Sequence, residues 1–124
     1  MSRIIKEINI EGERVTALFD TDSERSYVVK KRVKSSYCKN IAGFGVTLDG
    51  KRHKIKQRCL YRCEIDGLPF SMSAHLIDGI GEIDGRKIDI LIGATTMKER
   101  EIKVSPDERE LDLTGLKKRE FTEL

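Results

Sequence analysis

The sequence predicts an all-β domain with one short helix near its C-terminus. Three observations carry this. A turn signal recurs in which an apolar residue precedes Asp-Gly: Leu48-Asp49-Gly50, Ile65-Asp66-Gly67, Ile77-Asp78-Gly79 and Ile83-Asp84-Gly85. Asp-Gly reaches positive φ at little cost and closes two-residue hairpins. The segments between these signals alternate, or run apolar over short lengths, with the period of strands rather than helices. Thr95–Arg100, after the Ile92-Gly93 boundary, has the composition of a helix, with Thr95 as its expected N-cap.

The elements follow in order. Ile4, Ile5, Ile8 and Ile10 mark a first strand, Arg14–Phe19 a second and Ser26–Val29 a third. Val46–Leu48 and Lys51–Lys56 flank Asp49-Gly50 as a hairpin, and Arg58–Ile65 pairs with Phe70–Ile77 through Asp66-Gly67. Ile88–Ile92 is apolar except for Asp89 and reads as a central strand. Ile102–Val104 and Leu111–Leu113 form a last hairpin around Ser105-Pro106-Asp107, and the tail is charged, with Leu116, Phe121 and Leu124 as anchors. At 124 residues, with no linker or low-complexity segment, residues 1–124 are expected to form one domain.

No apolar run has the ~20 residues a bilayer span needs, and the N-terminus carries charges where a signal peptide needs an apolar core. The expectation is a cytoplasmic protein without a membrane partner. Three cysteines, an odd count, fit a reducing compartment. Cys59 and Cys63 read as small buried residues on one strand face, and Cys38 as a plain thiol. Zinc would need more than these with His53 and His75, and Asp20-x-Asp22-x-Glu24 lacks the rest of a calcium loop, so no metal or cofactor is expected.

Charge is unevenly placed. Residues 25–62 hold twelve Lys or Arg and one acid, Asp49, whereas the whole chain has a formal charge of only +3. This positive stretch fits a solvated hairpin that guards its edges with cations. A nucleic-acid partner is the less favoured reading, because aromatic residues for base stacking are few.

The chemistry concentrates where the apolar segment Val15–Phe19 runs into Asp20-Thr21 and a polar turn. A carboxylate ending a buried strand is costly unless paired or used. Downstream, Leu91-Ile92-Gly93 is a second apolar strand ending in glycine. Together these segments resemble the retropepsin-like aspartic proteases, whose catalytic loop reads apolar-apolar-Asp-Thr-Gly-(Ala/Ser) and whose later strand reads apolar-apolar-Gly before a short helix. Leu18-Phe19-Asp20-Thr21 and Ser23 match the first motif, Leu91-Ile92-Gly93 matches the second, and the Asp49-Gly50 hairpin lies where that family has its flap.

The resemblance implies a retropepsin-like barrel or sandwich and a homodimeric aspartic endopeptidase, since this chain has one such loop. Asp20 is then catalytic and Thr21 locks the two loops together. Asp22, Ser23, Asp49, Gly50 and Gly93 are expected around a peptide or protein substrate. The basic flap residues Lys51, Arg52 and Lys54 imply acidic or polar substrates. Asp22 departs from the family, standing where it has glycine. The alternative implied by that departure is a catalytically inactive dimeric binding module on the same fold. The termini are expected either to interleave in a dimer sheet or to cover their own subunit.

Overall fold

A computed structural model describes residues 3–105, 107 and 109–122. Eleven strands and two helices occur among them in this order: β1 (Arg3–Ile10), β2 (Glu13–Asp20), β3 (Tyr27–Val29), β4 (Tyr37–Leu48), β5 (Lys51–Ile65), β6 (Leu68–Ile77), β7 (Glu82–Ile83), β8 (Arg86–Lys87), β9 (Ile90–Ile92), α1 (Ala94–Glu99), β10 (Lys103–Val104), β11 (Leu111–Asp112) and α2 (Thr114–Thr122). The all-β class holds, and α2 is a helix where only a charged tail was expected. Leu124, Pro106 and the side chain of Phe121 lie outside the described residues.

The Asp-Gly turns do what their chemistry predicts. Asp49-Gly50, Asp66-Gly67 and Asp84-Gly85 all have positive φ at both positions. Asp78-Gly79 does not, and Asp78 instead faces Lys30 at 3.8 Å. Glu11-Gly12, which the turn signals missed, closes β1 onto β2 with φ of 49° and 81°. Lys51–Lys56 and Arg58–Ile65 are one continuous strand, β5. Its partner β4 starts nine residues earlier than expected, at Tyr37 rather than Val46, with a register shift between Asn40 and Phe44.

Seven strands form one sheet in the order β1-β2-β9-β3-β6-β5-β4, and a further β1–β5 pairing rolls it towards closure. β9 lies between β2 and β3, as its apolar run predicted, parallel to β2 and antiparallel to β3. Alternation sorts β5 and β6 cleanly: Ile55, Cys59, Tyr61, Cys63 and Ile65 face inward, as do Leu68, Phe70, Met72 and Ala74. Asp89 is structural: its carboxylate accepts the Thr16 N–H at 2.9 Å and pairs with Arg32 at 3.4 Å, which secures β9 against β2. Ile4, Ile8 and Ile10 are buried in the chain's own core, and α2 packs Leu116 into the same cluster. Within the described residues the terminal segments therefore cover their own subunit.

The cysteine reading needs correction. Because β4 extends back to Tyr37, its register sets Cys38 opposite Cys59, and the two form a disulfide with Cα atoms 4.1 Å apart. Cys63 is the free thiol, buried, and burial pushes its pKa up to about 12. The odd cysteine count thus gives no support to a reducing compartment. No helix among the described residues is long and apolar enough to cross a membrane.

Candidate active site

Asp20 ends β2 and is 8% exposed. Its Oδ1 accepts the Asp22 N–H at 2.9 Å, and its backbone carbonyl accepts the Ser23 N–H at 3.2 Å. These bonds fold residues 20–23 into a turn that holds the carboxylate at the strand end. Arg3 sits directly opposite in the β1–β2 ladder, and its Nε lies 3.4 Å from Asp20 Oδ2. The Arg3 side chain is about half exposed, so this contact is partly screened by water.

The loop is pinned from behind by Gly93. Its N–H donates to Ser26 Oγ at 3.0 Å, and that hydroxyl also meets Thr96 Oγ1 at 2.7 Å, both side chains being buried. Ala94 N–H donates to the Ser23 carbonyl, and Thr95 N–H to the Glu24 carbonyl. Helix α1 starts here with Gly93, not Thr95, at its N-cap and no side-chain cap. The loop carbonyls serve in place of a capping side chain for the strand-to-helix junction. Ser26→Ala leaves the buried Gly93 N–H and Thr96 hydroxyl without this partner. It is expected to lower unfolding free energy by about 1–3 kcal/mol in denaturant titration; an unchanged midpoint would show that the bridge is dispensable.

In front of Asp20 opens a cleft of about 630 Å³. Asp20, Asp22, Ser23 and Asp49 line it; Thr21, Gly50 and Gly93 do not. Thr21 is exposed beside Asp20, Gly50 lies at the hairpin tip, and Gly93 is buried behind the loop. Val46, Leu48 and Asp49 bring the β4–β5 hairpin over the cleft, where the Asp49 carboxylate packs against Gly81. Five acidic residues line this space, Asp20, Asp22, Glu24, Asp49 and Glu82, against two basic ones, Arg3 and Arg25. The hairpin cations Lys51, Arg52 and Lys54 are exposed and do not line it.

Arg25 joins the loop to the β4–β5 hairpin. Its guanidinium lies over the Phe44 ring at 4.4 Å, and Phe44 meets His75 edge-on at 5.2 Å. Burial, together with Arg25 and Arg58, holds the His75 pKa below its ordinary value, so this imidazole is neutral at pH 7. Arg3, Ser26 and Arg25 were not singled out as site residues from sequence. Counting back through the ladder from Glu11-Gly12 would have placed residue 3 opposite residue 20. Ser26 and Arg25 carry no comparable signal, because their partners Gly93, Thr96 and Phe44 are distant in sequence. Among the described residues no group of three His, Cys, Asp or Glu side chains is arranged to hold a metal ion.

No family model and no curated protein matches this chain. Solved structures do. The retroviral protease-like domain of Ddi1 from Leishmania major is 15% identical with a TM-score of 0.62, covering 92% of this chain and 90% of that one. EIAV protease, complexed with the inhibitor HBY-793, is 13% identical with a TM-score of 0.56, covering 78% of this chain and 86% of that one. The barrel-like sheet, the hairpin over an aspartate at a strand end and these likenesses agree: the chain has the retropepsin-like all-β fold.

Proposed function

We propose that the protein is a homodimeric aspartic endopeptidase. The observation that carries the reading is Asp20: a nearly buried carboxylate at the end of an apolar strand, facing a cleft roofed by a flap-like hairpin. One such aspartate per chain calls for a two-fold axis that brings two Asp20 carboxylates together. Two carboxylates that close share a proton. The ionised one takes a proton from water as the water oxygen attacks the scissile carbonyl carbon, and the other protonates the leaving side. Thr21, exposed beside Asp20, locks one loop against the other. Asp49 and Gly50 form the tip that closes on an extended peptide. With five acidic residues lining the cleft against two basic ones, cationic side chains suit it better than the acidic ones the flap sequence implied.

A second reading, an inactive binding module, rests on Asp22 and Arg3. Asp22 adds a carboxylate beside the dyad, and Arg3 offers Asp20 a cationic partner within its own subunit. The experiment is digestion of an unstructured protein across acidic to neutral pH by the native chain, Asp20→Asn and Asp22→Gly. Asp22→Gly keeps the N–H that Asp20 accepts and removes only the second carboxylate. It is expected to raise the cleavage rate by about tenfold, equivalent to ~1.4 kcal/mol of relieved repulsion. Cleavage by neither the native chain nor Asp22→Gly would overturn the peptidase reading in favour of the binding module.

A further inference from the structure

We infer that the base of the β4–β5 hairpin is a docking groove for an extended acidic peptide segment with an apolar anchor, separate from the Asp20 cleft. Among the described residues the two exposed large hydrophobic side chains are Tyr37, 74% exposed, and Leu60, 55% exposed. They are direct cross-strand partners in the β4–β5 ladder. Lys39 and Arg58 are the next pair on the same face, two residues along each strand. Opposed side chains in such a ladder stand about 5 Å apart, so an apolar pair and a cationic pair form adjoining rungs. Ser73 extends the face on β6, opposite Leu60. These five residues border a groove of about 390 Å³.

Charge complementarity selects the occupant. Neither Lys39 nor Arg58 has a carboxylate partner within salt-bridge distance among the described residues; the cations that do, such as Arg62 with Glu11, lie elsewhere. The cationic face continues along β5, where Lys54 and Lys56 alternate outward with inward-facing residues. β4 ends the sheet order, so no strand among the described residues covers its outer edge. An extended peptide can therefore add backbone hydrogen bonds at that edge, place an aliphatic or aromatic side chain against Tyr37 and Leu60, and set carboxylates on Lys39 and Arg58. A single exposed tyrosine gives one stacking platform, which fits one apolar anchor better than a run of bases.

The test is fluorescence anisotropy on the full chain carrying Asp20→Asn, so that a bound peptide is not cut. The probes are a labelled ten-residue peptide with glutamates flanking a central Leu-Phe, the same peptide with glutamine for glutamate, and an oligothymidine of equal length. The acidic peptide is expected to bind, to weaken as salt is raised, and to lose about tenfold or more in affinity when its glutamates become glutamine or when the protein carries Arg58→Glu. Leu60→Ser is expected to weaken both peptides. Arg58 and Leu60 are exposed, and unchanged thermal unfolding confirms that each variant is folded. Equal affinity for the two peptides, indifference to Arg58→Glu, or preferential binding of the oligothymidine would overturn the inference. Binding is read without catalysis, so this result is independent of whether the chain is a peptidase.

Discussion

Asp20→Asn is expected to lower peptide-bond cleavage by at least about a hundredfold, the scale of a lost acid–base group, while leaving the chain folded. The two halves of this expectation have separate physical grounds. In the proposed mechanism asparagine can neither take the proton from water nor share one across a dyad, so that chemistry fails. The local structure has less to lose. The hydrogen bond from Asp22 N–H to Oδ1 needs only an acceptor, and an amide oxygen supplies it. The ion pair with Arg3 is lost, but Arg3 is about half exposed and its guanidinium can turn to water. Such contacts are worth ~0–1 kcal/mol. At roughly 4 °C per kcal/mol for a domain of this size, the melting temperature moves by a few degrees at most. The measurement pairs digestion of an unstructured protein with thermal unfolding of both chains. A variant that cleaves as fast as the native chain would remove Asp20 from the mechanism. Equal inactivity of both would leave the fold intact and the peptidase reading without support.

The parts of this molecule legible in its sequence are those set by local chemistry. Asp49-Gly50, Asp66-Gly67 and Asp84-Gly85 announce their turns because few other pairs reach positive φ as cheaply. β9 announces its central place by an apolar run that only a strand covered on both sides can use. Asp20 stood out because apolar strands seldom end in a carboxylate without purpose. What stayed hidden depends on register and on distant partners. The Cys38–Cys59 disulfide needed the backward extension of β4, a stretch whose side chains are mostly exposed and so show no clear alternation. Arg3 opposite Asp20 needed the Glu11-Gly12 turn, in which glutamate takes the place usually held by Asp or Asn. The acidic lining of the cleft needed the orientation of the β4–β5 hairpin, since a count of charge along residues 25–62 points the other way. Helix α2 has a charged sequence that gives little periodic signal, and its place is secured by the buried Leu116.

Gly93→Ala is expected to destabilise the fold by about 3 kcal/mol, at the upper end for overpacking a close contact, and to reduce any Asp20-dependent activity with it. The demand for glycine is one of space rather than of backbone conformation. Gly93 has φ of −93° and ψ of 179°, extended values that alanine adopts freely. A Cβ placed there would collide with the Arg25 carbonyl oxygen and lie 2.6 Å from that of Ser23. Neither oxygen is the end of a flexible side chain that can swing aside. The Ser23 carbonyl accepts the Ala94 N–H, and the Arg25 carbonyl accepts the Ser23 hydroxyl at 2.8 Å. Relief therefore means moving the whole Ser23–Arg25 segment away from β9. That motion stretches the Gly93–Ser26 bond and shifts the turn in which Asp22 N–H holds the Asp20 carboxylate. Stability and site geometry fall together because one backbone contact serves both. Gly79→Ala is the matched control: Gly79 lacks positive φ and its added Cβ would meet nothing within 4 Å, so unfolding should change little. Denaturant titration of the two variants separates the readings. A Gly93→Ala chain as stable as Gly79→Ala would mean that the loop has room to withdraw, and that the close packing behind Asp20 is not what positions it.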